Sequence, residues 1–182
     1  MGKGIMRARR ARLQHMTPNL LLLAMLAFPG GVAAQDVAEV GQPPPPFALP
    51  DEHGEVHALA DLIGQPIILY FTHNMCHYCT QVIAFLKRAH AEYEGTDLAI
   101  VTINVWADDG RLISRYKEAY GLPFDMLAGK DPDLLRNYEV NYVPIIIFVE
   151  RDGTIRYLYE HYVLQEDFER SVAEIVAGGL TP

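Results

Sequence analysis

The chain has 182 residues, of which 50% are hydrophobic and 21% are charged. It is long enough for one packed domain, and its composition excludes a disordered or fibrous polymer. Beyond residue 34 there are 10 basic and 23 acidic residues, a net charge of −13. This charge argues against nucleic-acid binding because a negative surface repels phosphate. Two cysteines are too few for a disulfide-stapled miniprotein or a four-thiolate zinc site.

The N-terminal 34 residues have the order of a secretory leader. Five cations precede an apolar run at residues 20–28, and small residues follow up to Ala34. This order predicts a signal peptide over residues 1–34, and therefore an exported protein. Nine helical residues of ~1.5 Å each are too short for a ~30 Å hydrocarbon core. An uncleaved membrane anchor remains the alternative.

Residues 35–46 end in four prolines and predict an extended lead-in, because proline cannot continue a helix or a central strand. The domain is expected over residues 47–182. Its first elements are two short runs, at 47–49 and 56–59, with Gly54 between them. They predict a small hairpin whose turn uses the positive φ of glycine.

Three continuous apolar runs follow, at residues 66–71, 98–105 and 145–149. Runs of this kind predict strands that are buried on both faces of a sheet. A fourth run, at 154–159, follows the turn sequence Arg151-Asp152-Gly153. The third and fourth runs therefore predict an antiparallel hairpin.

Apolar residues recur at helical spacing in three segments, around 82–93, 112–120 and 168–176. Asp131-Pro132 predicts the start of a short fourth helix, with Asp as N-cap and Pro in the first helical position. Strands that alternate with helices and end in a hairpin and a helix predict an α/β sandwich with a mixed central sheet.

The two cysteines, Cys76 and Cys79, lie directly after the first buried run, where a helix is about to begin. A spacing of two residues on a first helical turn allows a disulfide. The N–H groups and dipole at the helix start would lower the pKa of the Cys76 thiol, which makes Cys76 the predicted nucleophile. Cys79 is then the predicted resolving thiol. The alternative is an inert structural disulfide.

Tyr142-Val143-Pro144 precedes the strand at 145–149 and allows two interpretations. Proline is tolerated at a strand start, so the segment can be a simple strand entry. It can instead hold a cis Val143–Pro144 bond beside Cys76, where Val143 offers its backbone to a partner peptide as an added strand would.

Several stretches together resemble the thioredoxin superfamily, and within it the exported TlpA/ResA-type redoxins. They are Pro46-Phe47-Ala48-Leu49-Pro50-Asp51, Asp61-Leu62-Ile63-Gly64, Cys76-His77-Tyr78-Cys79, Gly121-Leu122-Pro123-Phe124, Tyr138-Glu139-Val140 with Val143-Pro144, and Glu150-Arg151-Asp152-Gly153.

The resemblance implies a thioredoxin-like three-layer sandwich with an N-terminal hairpin, a strand–helix insertion at about 109–127 and a cis Pro144. It also implies a thiol-disulfide oxidoreductase without cofactor or metal that acts on protein disulfides or dithiols. Members of this branch are usually periplasmic or membrane-tethered reductases that receive electrons from a membrane thiol transporter and often reduce apocytochrome c, so the resemblance implies a location in the periplasm. We expect a monomeric reductase of this kind.

The chain departs from the family pattern around the cysteines, which leaves the redox potential and direction open. Met75 stands where a Trp is usual, and Tyr70 where thioredoxins keep a buried acid that helps to deprotonate the resolving thiol. His77 is predicted to tune the couple, since its protonated ring would stabilise a Cys76 thiolate. Tyr78 either shields the sulfurs or belongs to a partner-binding surface.

A metallochaperone is the main alternative from another functional class. His73, Cys76, His77 and Cys79 lie within seven residues, His161 could serve as a distant ligand, and thiolates suit Cu(I) or Zn. The spacing fits this hypothesis poorly, because the copper-delivering branch of the superfamily has a longer cysteine spacing.

A thiol peroxidase is a second rival, because such enzymes share the hairpin and the strand–Cys–helix order. They carry a Thr three residues before the reactive cysteine. That position is His73 here, and Thr72 lies one residue too early.

Overall fold

The computed structural model describes residues 37–178. The predicted leader at residues 1–34 lies outside the described residues, as do residues 35–36 and 179–182. The elements are, in chain order, β1 (Ala48–Pro50), β2 (Val56–Ala58), a short 3-10 helix (Leu59–Asp61), β3 (Ile67–Thr72), α1 (Cys79–Glu92), β4 (Ala99–Asn104), α2 (Gly110–Tyr120), β5 (Asp125–Ala128), α3 (Pro132–Asn137), β6 (Ile145–Val149), β7 (Ile155–Glu160) and α4 (Gln165–Val176). Among these helices, none has the length and apolar character that a membrane crossing requires.

The five longer strands form one mixed sheet in the order β5-β4-β3-β6-β7, and β1 and β2 form a separate antiparallel pair. The β3–β4 and β4–β5 pairs are parallel, while β3–β6 and β6–β7 are antiparallel. This confirms the predicted α/β class, the mixed sheet and both hairpins. Strand β5 was not predicted from the residue pattern; it lies within the insertion that the family resemblance implied.

Strand β3 is central and fully buried because both of its faces are covered. Ile68 and Tyr70 belong to the core that α1, α2 and α4 build on one face of the sheet. Ile67, Leu69 and Phe71 belong to the core on the opposite face, with α3 and the N-terminal hairpin. The period-2 alternation of side chains thus divides one apolar run between two cores, which makes the three-layer sandwich.

The caps of α2 and α3 fix where these helices begin and end. The Asp109 side chain accepts hydrogen bonds from the backbone N–H groups of Arg111 and Leu112 in α2. The Asp131 side chain accepts one from the Leu134 N–H in α3, with Pro132 in the first turn. The predicted N-cap at Asp131 is confirmed. Gly121 ends α2 in the left-handed conformation (φ 56°) that glycine adopts without strain.

The proline-rich lead-in is tied to the domain. Gly41 N–H donates to the carbonyl of Ile155, and Ile155 N–H donates to the carbonyl of Gln42, at 2.8 and 2.9 Å. The buried Tyr138 hydroxyl donates to the carbonyl of Pro45. These bonds attach the segment before β1 to β7 and to the end of α3.

Candidate active site

Cys76 and Cys79 form a disulfide at the carboxyl end of β3, with their Cα atoms 5.3 Å apart. Strand β3 ends at Thr72 and α1 begins at Cys79. The bond lies in the strand-to-helix position that the spacing predicted. The central, doubly covered strand supplies a fixed support for it.

The two sulfurs differ in access. The Cys79 side chain is wholly buried in the core under α1, whereas Cys76 is only partly buried. The backbone N–H of Cys79 points at Cys76 Sγ, at 3.1 Å. An N–H donor in this position stabilises negative charge on a sulfur. The geometry therefore supports Cys76 as nucleophile and Cys79 as resolving thiol, roles that remain predictions.

Val143 and Pro144 lie against the reactive sulfur. Their peptide bond is cis, and the Val143 carbonyl oxygen is 3.7 Å from Cys76 Sγ. His161 N–H donates to the Pro144 carbonyl at 2.9 Å, which holds this loop on the end of β7. The segment is thus the cis-proline loop of the second interpretation, with its backbone beside Cys76.

Three exposed apolar side chains lie in the segments that carry Cys76 and the cis-proline loop. Met75, Tyr78 and Tyr142 are 78%, 63% and 70% exposed. Met75 and Tyr78 flank Cys76 in the chain, and Tyr142 precedes Val143. These positions favour the view that Tyr78 belongs to a partner-binding surface.

His77 projects from the same exposed turn, and its ring packs edge-on against Tyr78 with centroids 5.9 Å apart. Its effect on the redox couple remains a prediction.

The loop that carries Cys76 is held by two contacts to the end of β4. The buried Asn104 side chain donates to Asn74 Oδ1 at 2.9 Å and accepts the Trp106 N–H at 3.1 Å. The rings of His73 and Trp106 stack in parallel planes, 3.9 Å apart. The sequence interpretation missed both contacts. The available signal was Asn104 itself, a polar residue inside an apolar run.

The His73 ring is engaged in a hydrogen bond. Its Nδ1 accepts the Met75 N–H at 3.0 Å. Burial lowers the pKa of the His73 ring, so the neutral form is favoured.

Tyr70, the residue at the expected acid position, is wholly buried and donates its hydroxyl to the Cys79 carbonyl at 3.0 Å. Burial raises the pKa of Tyr70 well above its ordinary value, so the phenol stays neutral. Two residues along the same strand, the Thr72 hydroxyl forms a hydrogen bond of 2.9 Å with the buried Tyr116 hydroxyl. Tyr70 therefore contributes a donor and no negative charge near the cysteines.

The structure gives little support to the metal hypothesis. Within residues 37–178, the group of side chains close enough to share an ion is Asp51, Glu55 and His57, in the N-terminal hairpin. It contains neither cysteine. His161 packs against Tyr142, with ring centroids 5.4 Å apart.

Comparison with known proteins agrees with this description. The AhpC/TSA family model matches residues 40–158. The thiol-disulfide oxidoreductase ResA of Geobacillus kaustophilus is 24% identical over 136 residues, 75% of this chain and 78% of that protein. A protein of Coxiella burnetii named provisionally as a peroxiredoxin is 31% identical over 103 residues, 56% of this chain and 67% of its own.

A solved structure shows the same fold. The thioredoxin domain of a thiol-disulfide oxidoreductase from Bacteroides vulgatus superposes with a TM-score of 0.67 at 18% identity, covering 76% of this chain and 98% of that domain. The family match covers well over half of the chain, and the Cys76–Cys79 disulfide occupies the start of α1. The chain therefore belongs to the AhpC/TSA family and is a thiol-disulfide oxidoreductase of thioredoxin fold.

Proposed function

We propose that this protein works in the periplasm as a reductase of protein disulfides, with Cys76 as the attacking thiol. The observation that carries the proposal is the difference in exposure between the two cysteines. Cys76 is partly exposed and its sulfur accepts a hydrogen bond from the Cys79 N–H, while Cys79 is buried and bonded to it. A purely structural disulfide would not need a partly exposed sulfur next to an N–H donor and to exposed apolar side chains.

The reaction proceeds by two exchanges that balance in sulfur bonds and electrons. The Cys76 thiolate attacks one sulfur of the client disulfide, the client S–S bond breaks, and the departing client thiolate takes a proton from water. Cys79 then attacks Cys76 Sγ, and the proton of its thiol passes to the client sulfur that leaves. The second client thiol leaves, and the Cys76–Cys79 bond closes. Two electrons have moved from the protein to the client.

The backbone beside Cys76 orients the client. Val143 presents its peptide groups next to the sulfur, and an extended client segment can bond to such a backbone as an added strand. Met75, Tyr78 and Tyr142 offer apolar contacts on either side. An unfolded protein with exposed apolar residues near its cysteines is therefore the favoured client, and apocytochrome c is the first to test.

Return to the reduced state needs two electrons from an external dithiol. We propose a membrane thiol transporter as this donor, and export by the leader at residues 1–34 supports a site of action outside the cytosol. Direction is tested by equilibrating the full mature chain with glutathione, because reductases and oxidants differ by ~100 mV or more. A strongly oxidising couple would contradict the reductase proposal.

The exchange mechanism is tested by trapping. We expect Cys76→Ser to abolish exchange and Cys79→Ser to accumulate mixed disulfides with a reducible client, because the second attack is lost. The double variant, which has no thiol, is the matched control and should capture nothing. Normal turnover by Cys79→Ser would show that the two-thiol mechanism is wrong.

A peroxidase is the second candidate, favoured by the similarity to the Coxiella burnetii protein. The site opposes it, because the Thr72 hydroxyl is engaged by Tyr116 in the core and His73 stands at the position of the peroxidase threonine. We expect the reduced chain to show no sustained peroxide turnover with a dithiol donor. Rapid turnover would make this candidate the better one.

A further inference from the structure

Tyr70 has no part in the exchange described above, yet it is the side chain from β3 that bonds to a cysteine residue. Its ring is wholly buried in the core under α1. Its hydroxyl donates to the Cys79 carbonyl at 3.0 Å. This bond joins the centre of the sheet to the first residue of the active-site helix.

The first turn of α1 is closed by the Thr80 hydroxyl, which donates to the His77 carbonyl at 2.8 Å. Its N-cap residue, Tyr78, makes no side-chain capping bond. The Cys79 residue is instead held on both sides: its carbonyl accepts from Tyr70, and its N–H donates to Cys76 Sγ. The N–H that faces Cys76 Sγ thus belongs to Cys79, the residue whose carbonyl is bound by the buried Tyr70 hydroxyl.

We propose that Tyr70 is a positioning residue that fixes Cys79, so that the Cys79 N–H stays directed at Cys76 Sγ and stabilises the thiolate of the reduced protein. This inference rests on the proposed function and adds to it a device that sets the redox equilibrium. The effect differs between redox states, since a hydrogen bond to a charged acceptor is roughly twice as strong as one to a neutral acceptor. Looser positioning thus destabilises the reduced form more than the disulfide.

The test compares Tyr70→Phe with Tyr138→Phe in the full chain. Both changes remove one buried hydroxyl and one hydrogen bond to a backbone carbonyl, but the Tyr138 hydroxyl donates to Pro45 and not to a cysteine residue. The loss of one hydrogen bond predicts that Tyr70→Phe shifts the equilibrium with glutathione towards the disulfide by about two- to tenfold. The alkylation profile of Cys76 should move to higher pH in the same variant.

Tyr138→Phe should leave both readouts at the wild-type value while lowering the melting temperature. Equal redox constants for Tyr70→Phe and wild type, or equal shifts in the two variants, would overturn the inference.

A second substitution keeps the test decisive if Tyr70→Phe does not fold. Replacing Tyr70 by 3-fluorotyrosine retains the ring and makes the hydroxyl a stronger donor, so the equilibrium should move towards the dithiol. No shift, or a shift towards the disulfide, contradicts the positioning role. Absence of exchange in the wild-type protein would instead contradict the proposed function, so the two failures are distinguishable.

Discussion

The hydrogen bond from Cys79 N–H to Cys76 Sγ leads to a quantitative expectation for the reactivity of Cys76. The substitution Cys79→Ser retains this N–H and leaves Cys76 as the only thiol, because the chain has two cysteines. A hydrogen bond to a charged group contributes ~1.5–3 kcal/mol. We take the lower end because Cys76 is partly buried, and burial opposes ionisation.

About 1.4 kcal/mol corresponds to a tenfold change in an equilibrium constant. The acid dissociation constant of Cys76 should therefore be about tenfold larger than that of free cysteine, which raises the thiolate fraction at pH 7 from about 3% to about a quarter. The assay is the rate of iodoacetamide alkylation as a function of pH, with the same variant unfolded in urea as control. A folded profile with the same midpoint as the unfolded one would refute the reasoning.

Three further expectations concern residues around the site. Gly129→Ala would press a methyl group against the Ile103 side chain and should lower the free energy of unfolding by ~1–3 kcal/mol in urea titration; unchanged stability contradicts the tight packing. Asn104→Ala removes the amide that holds the loop before Cys76 and should slow exchange without abolishing it, which client-reduction kinetics would check. Burial lowers the pKa of His73 in the folded chain. Below about pH 6.5, the unfolded chain therefore binds a proton more readily than the folded chain does, and the free energy of unfolding falls as the pH falls. His73→Phe keeps a ring against Trp106 and should flatten the plot of the free energy of unfolding against pH in this range, measured by urea titration. An unchanged slope would show that another group causes the pH dependence.

The sheet could be predicted because its strands carry strong local signals. Runs such as residues 66–71 are apolar throughout, and a strand covered on both faces requires this pattern. The redox pair was equally local, since a spacing of two residues where a helix begins allows two sulfurs to meet. Strand β5 has only four residues and an exposed first residue, Asp125, so its pattern is too short to separate it from a loop.

The support around the cysteines could not be predicted because it depends on contacts between distant segments. The stack of His73 on Trp106 and the bond from Asn104 to Asn74 exist because β3 and β4 are parallel neighbours whose ends meet. The role of Tyr70 is similar. Its side chain reaches a backbone carbonyl nine residues away, and that reach depends on where α1 lies across the sheet.

The complete burial of Cys79 has a kinetic consequence. Cys76 is the partly exposed sulfur of the pair, so the proposed mechanism attaches a client at this one sulfur. Its release depends on an internal displacement whose rate is first order and independent of client concentration. In the proposed mechanism, the lifetime of the mixed disulfide is therefore a property of the chain itself and can be measured as a single rate constant.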